Sequence, residues 1–93
     1  MQNNDLIGKV VLSKAGRDKN HLYVVIRQID NEYVLLSNGI TKTMGNPKKK
    51  KVKHLNFLYA VDDEIKEAIA KSDKGTDLKI KRFIKLKNIV KED

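Results

Sequence analysis

The chain reads as mainly β with a C-terminal α segment: a small five-stranded barrel followed by one or two helices. Three observations lead there. Short β-branched runs separated by turn residues fill the first fifty-odd positions. Apolar residues at helical spacing, introduced by acids, fill the last third. The chain has 93 residues, 40% of them apolar, which is enough for one modest core but not for two.

The elements follow in order. Leu6–Ser13 is rich in β-branched residues and predicts the first strand. His21–Ile29 predicts the second and strongest. Asp30-Asn31 is a two-residue turn, and Glu32–Ser37 predicts the third strand. Asn38-Gly39 suits a type I′ hairpin, which needs positive φ at both central residues. Ile40–Met44 alternates as a fourth strand, broken by Gly45-Asn46-Pro47, and Val52–Phe57 predicts a fifth. Five short strands with tight turns suggest a sheet that closes on itself.

Strands two and three are apolar on both faces. Val24 and Ile26 oppose Val25 and Ile29, and Tyr33 and Leu35 oppose Val34 and Leu36. A sheet with one wet face would alternate, so the outer face needs a cover. The last third supplies it. Asp62-Asp63-Glu64 places acids where a helix dipole favours them. Val61, Ile65, Ala68 and Ile69 then share one face. Gly75 is placed as a stop, and Thr76 or Asp77 as a cap for a second helix. Ile80, Phe83, Ile84 and Val90, with Leu86 or Ile89 at the margin, form its stripe. The expected division is residues 1–58 for the barrel and 59–93 for a helical extension packed on or beside it.

Composition excludes several functions. Without cysteine there are no disulfides, zinc ribbons or thiol nucleophiles. No apolar run approaches the roughly 20 residues of a membrane span. Met1–Asp5 lacks the basic-then-apolar order of a signal peptide, so a cytoplasmic location is expected. His21 and His54 have no third ligand at metal spacing, and no nucleophile elbow or phosphate-binding glycine loop occurs. The expectation is a binder with no catalytic residue, no metal and no cofactor, monomeric when free.

The charge points to the partner. Net charge is +8, distributed as +2 over residues 1–47, +5 over 48–54 and +1 over 55–93. The block is Lys48-Lys49-Lys50-Lys51-Val52-Lys53-His54. It reads equally as a polyanion contact or as a solvated loop. The segment between strands one and two, Ser13-Lys14-Ala15-Gly16-Arg17-Asp18-Lys19-Asn20-His21, combines cations with a glycine. Such a loop brings backbone N–H groups and side chains close to phosphate. Its bland alternative is a hairpin loop whose Asp18 pairs with Arg17 or Lys19. Asn20 is suited to positive φ. Of the aromatics, Tyr23 and Tyr59 are the candidates for base stacking, with core burial the competing reading for each.

Gly8-Lys9-Val10-Val11, followed by Ser13–Lys19 and an apolar strand, resembles the KOW motif. Glu32–Leu36 and then Pro47–Leu55 look like the same family, the small bacterial KOW-domain RNA-binding proteins similar to archaeal and eukaryotic large-subunit ribosomal proteins. The likeness spans roughly residues 6–55, with two separated motifs in the right order. It implies an SH3-like barrel and association with RNA, ribosomal RNA in particular, or with ribosomal proteins. Gly8 and Gly16 fall on the family's glycines, and Asn20 stands where the family usually has another. Asn38 and Gly39, from the hairpin reading above and not from the resemblance, are the other structural positions.

In such a barrel the closing strand runs antiparallel to the first. The loop with Lys14, Arg17, Lys19, Asn20 and His21 should then meet Lys48, Lys49, Lys50, Lys51, Lys53 and His54 on one rim. The expected role is phosphate-based binding of folded RNA with little base readout. The alternative is a protein-interaction module of a transcription or translation complex, with the lysines facing an acidic partner. The lysine run is expected to be a surface feature. Replacing Lys48–Lys51 by Gln should then change stability by only about 0.5 kcal/mol.

Overall fold

The computed structural model describes residues 6–91, with side chains up to Lys87. Met1–Asp5 and the side chains of Ile89 and Val90 lie outside the described residues. The strands are β1 (Lys9–Ser13), β2 (Leu22–Gln28), β3 (Tyr33–Ser37), β4 (Lys48–Lys51) and β5 (Leu55–Ala60). Helices α1 (Asp63–Lys71) and α2 (Thr76–Lys91) follow. The sheet is antiparallel in the order β4-β3-β2-β1-β5, and a 3-10 turn, Val52–His54, joins its two end strands. The fold class is the one expected, mainly β with C-terminal α.

The sheet is curled. β4 lies three places from β1, about 14 Å away in a flat sheet. Yet Lys50 on β4 donates to the Ala15 carbonyl, two residues beyond β1, at 2.8 Å. Register shifts in β1–β5 at Val10/Val11 and in β2–β3 between Val25 and Arg27 give the local bends. The curl encloses Val11, Tyr23, Val25, Val34, Leu36 and Leu55, with Val52 and Phe57 at the margin.

Period-two alternation sends the other residues outward. Val10, Leu22, Val24 and Ile26 pack against Val61, Ile65 and Ile69 of α1 and its lead-in, and Ile80 and Ile84 of α2. The doubly apolar strands therefore have their cover, and both helices supply it. Ile29 differs from expectation: it lies past the end of β2 and is exposed.

Two helix signals act differently from their sequence reading. Ser72, not Gly75, ends α1, adopting φ +54° with N–H groups there closing onto the Ala68 and Ile69 carbonyls. Thr76 and Asp77 do not cap α2 with their side chains. The buried Thr76 hydroxyl donates to the Ala68 carbonyl at 3.1 Å, tying the helices together. Asp77 Oδ1 accepts the Met44 N–H at 2.8 Å.

The larger departure lies between β3 and β4. Ile40–Met44 is not a strand, and Asn38-Gly39 is not a two-residue hairpin turn. Asn38 Oδ1 accepts the N–H groups of Ile40, Thr41 and Lys42 at 2.9–3.0 Å. A side chain that satisfies three successive backbone donors replaces the partner strand those donors would otherwise need. The partner of β3 is instead the lysine run, with Tyr33 opposite Lys51 and Leu36 opposite Lys48. The fifth strand begins at Leu55, because Val52–His54 forms the turn. Lysine is a poor strand former in general, but an edge strand tolerates it and is shielded by it.

Gly39 has φ +78° and meets the first turns of α2 directly. An added Cβ would strike the Asp77 carbonyl oxygen and lie 2.7 Å from Lys81 N. Both contacts are backbone and cannot swing away. Gly39→Ala is therefore expected to destabilise the fold by about 2–4 kcal/mol in urea unfolding, combining left-handed strain with the clash. Gly45→Ala, where no atom lies within 4 Å of the new Cβ, should be close to neutral.

Candidate nucleic-acid interface

The β1–β2 loop is built on Ser13 and Asp18. Ser13 is fully buried at the end of β1, and its hydroxyl donates to Asp18 Oδ1 at 3.0 Å. The Asn20 N–H donates to the Ser13 carbonyl at 2.7 Å, and the His21 N–H to the Asp18 carbonyl at 3.0 Å. Asn20 takes φ +74°, the conformation its sequence position suggested. Gly16 has φ +87°, and a Cβ there would meet Lys50 Nζ at 3.3 Å. Folding the loop this way turns the Asp18 carboxylate inward.

The lysine strand meets that carboxylate. Lys50 Nζ donates to Asp18 Oδ1 at 2.9 Å, while Lys48 Nζ lies 3.7 Å from Oδ2. Asp18 thus pairs with neither Arg17 nor Lys19. At the next turn of the chain, the Lys14 N–H donates to the His54 carbonyl at 2.9 Å. The two cationic stretches are therefore neighbours on one rim, as the topology required.

Strand alternation divides the four lysines. Lys48 and Lys50 face Asp18. Lys49 and Lys51 face Tyr33, with Nζ 4.7 and 5.8 Å from the ring centroid. Lys14, Arg17, Lys19, Asn20, His21, Lys49 and Lys53 are exposed, and Lys48, Lys51 and His54 half-buried. Lys50 is the exception. Its side chain is only 12% exposed and its ammonium is held by Asp18 and the Ala15 carbonyl. The lysine run is thus not a solvated loop, and Lys50 is a structural cation. Of the other structural glycines, Gly8 links layers, its carbonyl accepting the Val61 N–H at 2.8 Å.

Burial opposes ionisation of Asp18. The hydrogen bonds from Lys50 and Ser13 and the nearby charge of Lys48 outweigh it and hold the carboxyl at about 2, below its ordinary 3.8. Burial, with Asp18 nearby, pushes the Tyr23 phenol up to about 12. Tyr23 is a core residue with no face for a base. Tyr59 is 39% exposed but packs edge-on to Phe83 at 6.4 Å, with Lys87 over both rings. Tyr33 is the site residue that sequence reasoning missed, while Asp18 is named there but with partners other than the Lys50 and Lys48 it has. The alternation of an all-lysine strand beside a single tyrosine is the signal that points to Tyr33.

Among the described residues, no group of three or more His, Asp or Glu side chains is placed to hold a metal ion. No helix among them is long and apolar enough to cross a membrane. No family model and no curated protein matches the chain.

Two predictions follow from the Asp18 cluster. Lys50→Gln leaves a buried carboxylate short of its cation and should cost about 1–3 kcal/mol, whereas exposed Lys49→Gln should stay within about 0.5 kcal/mol. Urea titrations of both variants measure this. Because the folded Asp18 pKa is depressed, its contribution is complete above about pH 4 and disappears as pH falls through about 2. Relative to Asp18→Asn, the native chain should lose about 2 kcal/mol across that window.

Proposed function

We propose that the chain is an RNA-binding protein with an SH3-like barrel of KOW type, acting in association with the ribosome. The observation that carries this reading is the single cationic rim formed by the β1–β2 loop and β4. Asp18 is the sole acid in those two stretches, and Lys50 and Lys48 neutralise it internally. Lys14, Arg17, Lys19, Lys49, Lys51 and Lys53 are left to face an external polyanion. The loop's fixed backbone adds the rigidity that positions phosphate contacts. Arg17 can engage a phosphate through two N–H groups, while the lysines act as point charges.

With about 4–6 phosphates neutralised, affinity for structured ribosomal RNA should fall roughly 10²–10³-fold between 50 and 200 mM salt. Fluorescence anisotropy at several salt concentrations measures the slope, and a flat isotherm removes the proposal. Replacing Lys14, Arg17 and Lys19 together by Gln should lower both the affinity and the slope without unfolding the chain. Sedimentation of cell extract should place the protein with ribosomal particles at low salt. Partners that persist after nuclease digestion would favour the protein-interaction reading instead.

A further inference from the structure

A hollow of about 240 Å³ opens where the β2–β3 turn meets the end of β4, lined by Asn31, Glu32, Lys51, Val52 and Lys53. Its two lips are pinned to each other, since the Val52 N–H donates to the Glu32 carbonyl at 2.8 Å. The turn itself is held by Asp30, whose Oδ1 accepts the N–H groups of Glu32 and Tyr33, both at 2.8 Å. The Asp30 carboxylate is thereby engaged by backbone. The Glu32 carboxylate is not: among the described residues it makes no salt bridge and no side-chain hydrogen bond, although two lysines line the same hollow. Lys51 turns its ammonium toward the Tyr33 ring instead. The residues lining the hollow thus include one whose carboxylate is unengaged, the apolar Val52 and two lysines.

We infer that this hollow binds one unpaired guanine base of the RNA, which rests on the proposed RNA-binding role and adds base specificity to it. The volume falls below the roughly 300–1,000 Å³ that encloses a drug-sized ligand, and suits one base. Sequence-specific RNA recognition works on unpaired bases through their hydrogen-bonding edges. Guanine presents two adjacent donors on its Watson–Crick edge, N1–H and the N2 amine, and the two oxygens of a carboxylate match that pair. Uracil offers one ring N–H, and adenine and cytosine each offer one exocyclic amine beside an acceptor that a carboxylate repels. Lys51 and Lys53, on the same lining, supply the positive charge that the phosphates adjoining such a base need.

The test uses the full chain and short oligouridine RNAs carrying one central guanine, inosine or no substitution, with anisotropy as the readout. The guanine RNA should bind about 5- to 100-fold more tightly than oligouridine, the range that one bidentate base contact supplies. Inosine, which lacks the N2 amine, should lose most of that preference. Glu32→Gln should abolish the preference while leaving oligouridine affinity unchanged or raised, which also reports that the variant is folded. Equal binding of the guanine and uridine RNAs overturns the inference. So does a Glu32→Gln variant that tightens both alike, since loss of a negative charge alone does that. Either result leaves the phosphate-based reading standing. Failure of these RNAs to bind at low salt overturns the inference, and failure of structured ribosomal RNA to bind as well removes both readings.

Discussion

Lys50 reaches across the mouth of the curled sheet to Asp18, and the arrangement of the rim follows from that contact. It links an end strand to the loop beyond β1, two segments that no backbone ladder joins. It holds the loop's one carboxylate inward, with Ser13 as second donor. The exchange of charge is local: an acid that would weaken a polyanion site is cancelled by a lysine that would otherwise strengthen it. The remaining cations face outward on a backbone already fixed. Largely buried pairs of this kind give modest net stability, because desolvation offsets much of the attraction. Their contribution here is positional, holding two distant stretches of chain together.

The fold was legible wherever the hydrophobic pattern carried it. Strands β1 to β3 and the apolar faces of both helices follow from alternation and helical spacing, and so does the need for an outer cover. The boundary at β4 was not legible. Ile40–Met44 has better strand propensity than four consecutive lysines, yet the lysines pair with β3. Two local features decided it. Asn38 captured the backbone donors that a fourth strand at that place required, and Gly39 was needed against α2. Neither the side-chain capture at Asn38 nor the tertiary contact at Gly39 can be read from strand propensity. The rim was legible from the charge pattern and the antiparallel closure of β5 on β1. The split of the lysines between Asp18 and Tyr33 was not, because it depends on which residues the strand's two faces meet.

The two ends of the sheet differ in chemistry. β4 carries a charge at every position, while β5, Leu55–Ala60, carries none. A lysine edge repels a second copy of itself, and so discourages strand-to-strand association at the cationic rim. The same side chains thus suppress one kind of pairing while favouring contact with phosphate. Lys49 and Lys51 also lie over the Tyr33 ring, where the aliphatic stems can cover the aromatic face as the charges remain near solvent.

Leu22, Val24 and Ile26 carry a further consequence. They line the outer face of the central strand and are shielded by side chains from both helices. Excising the barrel alone would strip a layer of oil from its most apolar strand. The helical third is therefore no detachable handle: mechanical or proteolytic loss of it would reach the cationic rim through the strand they share.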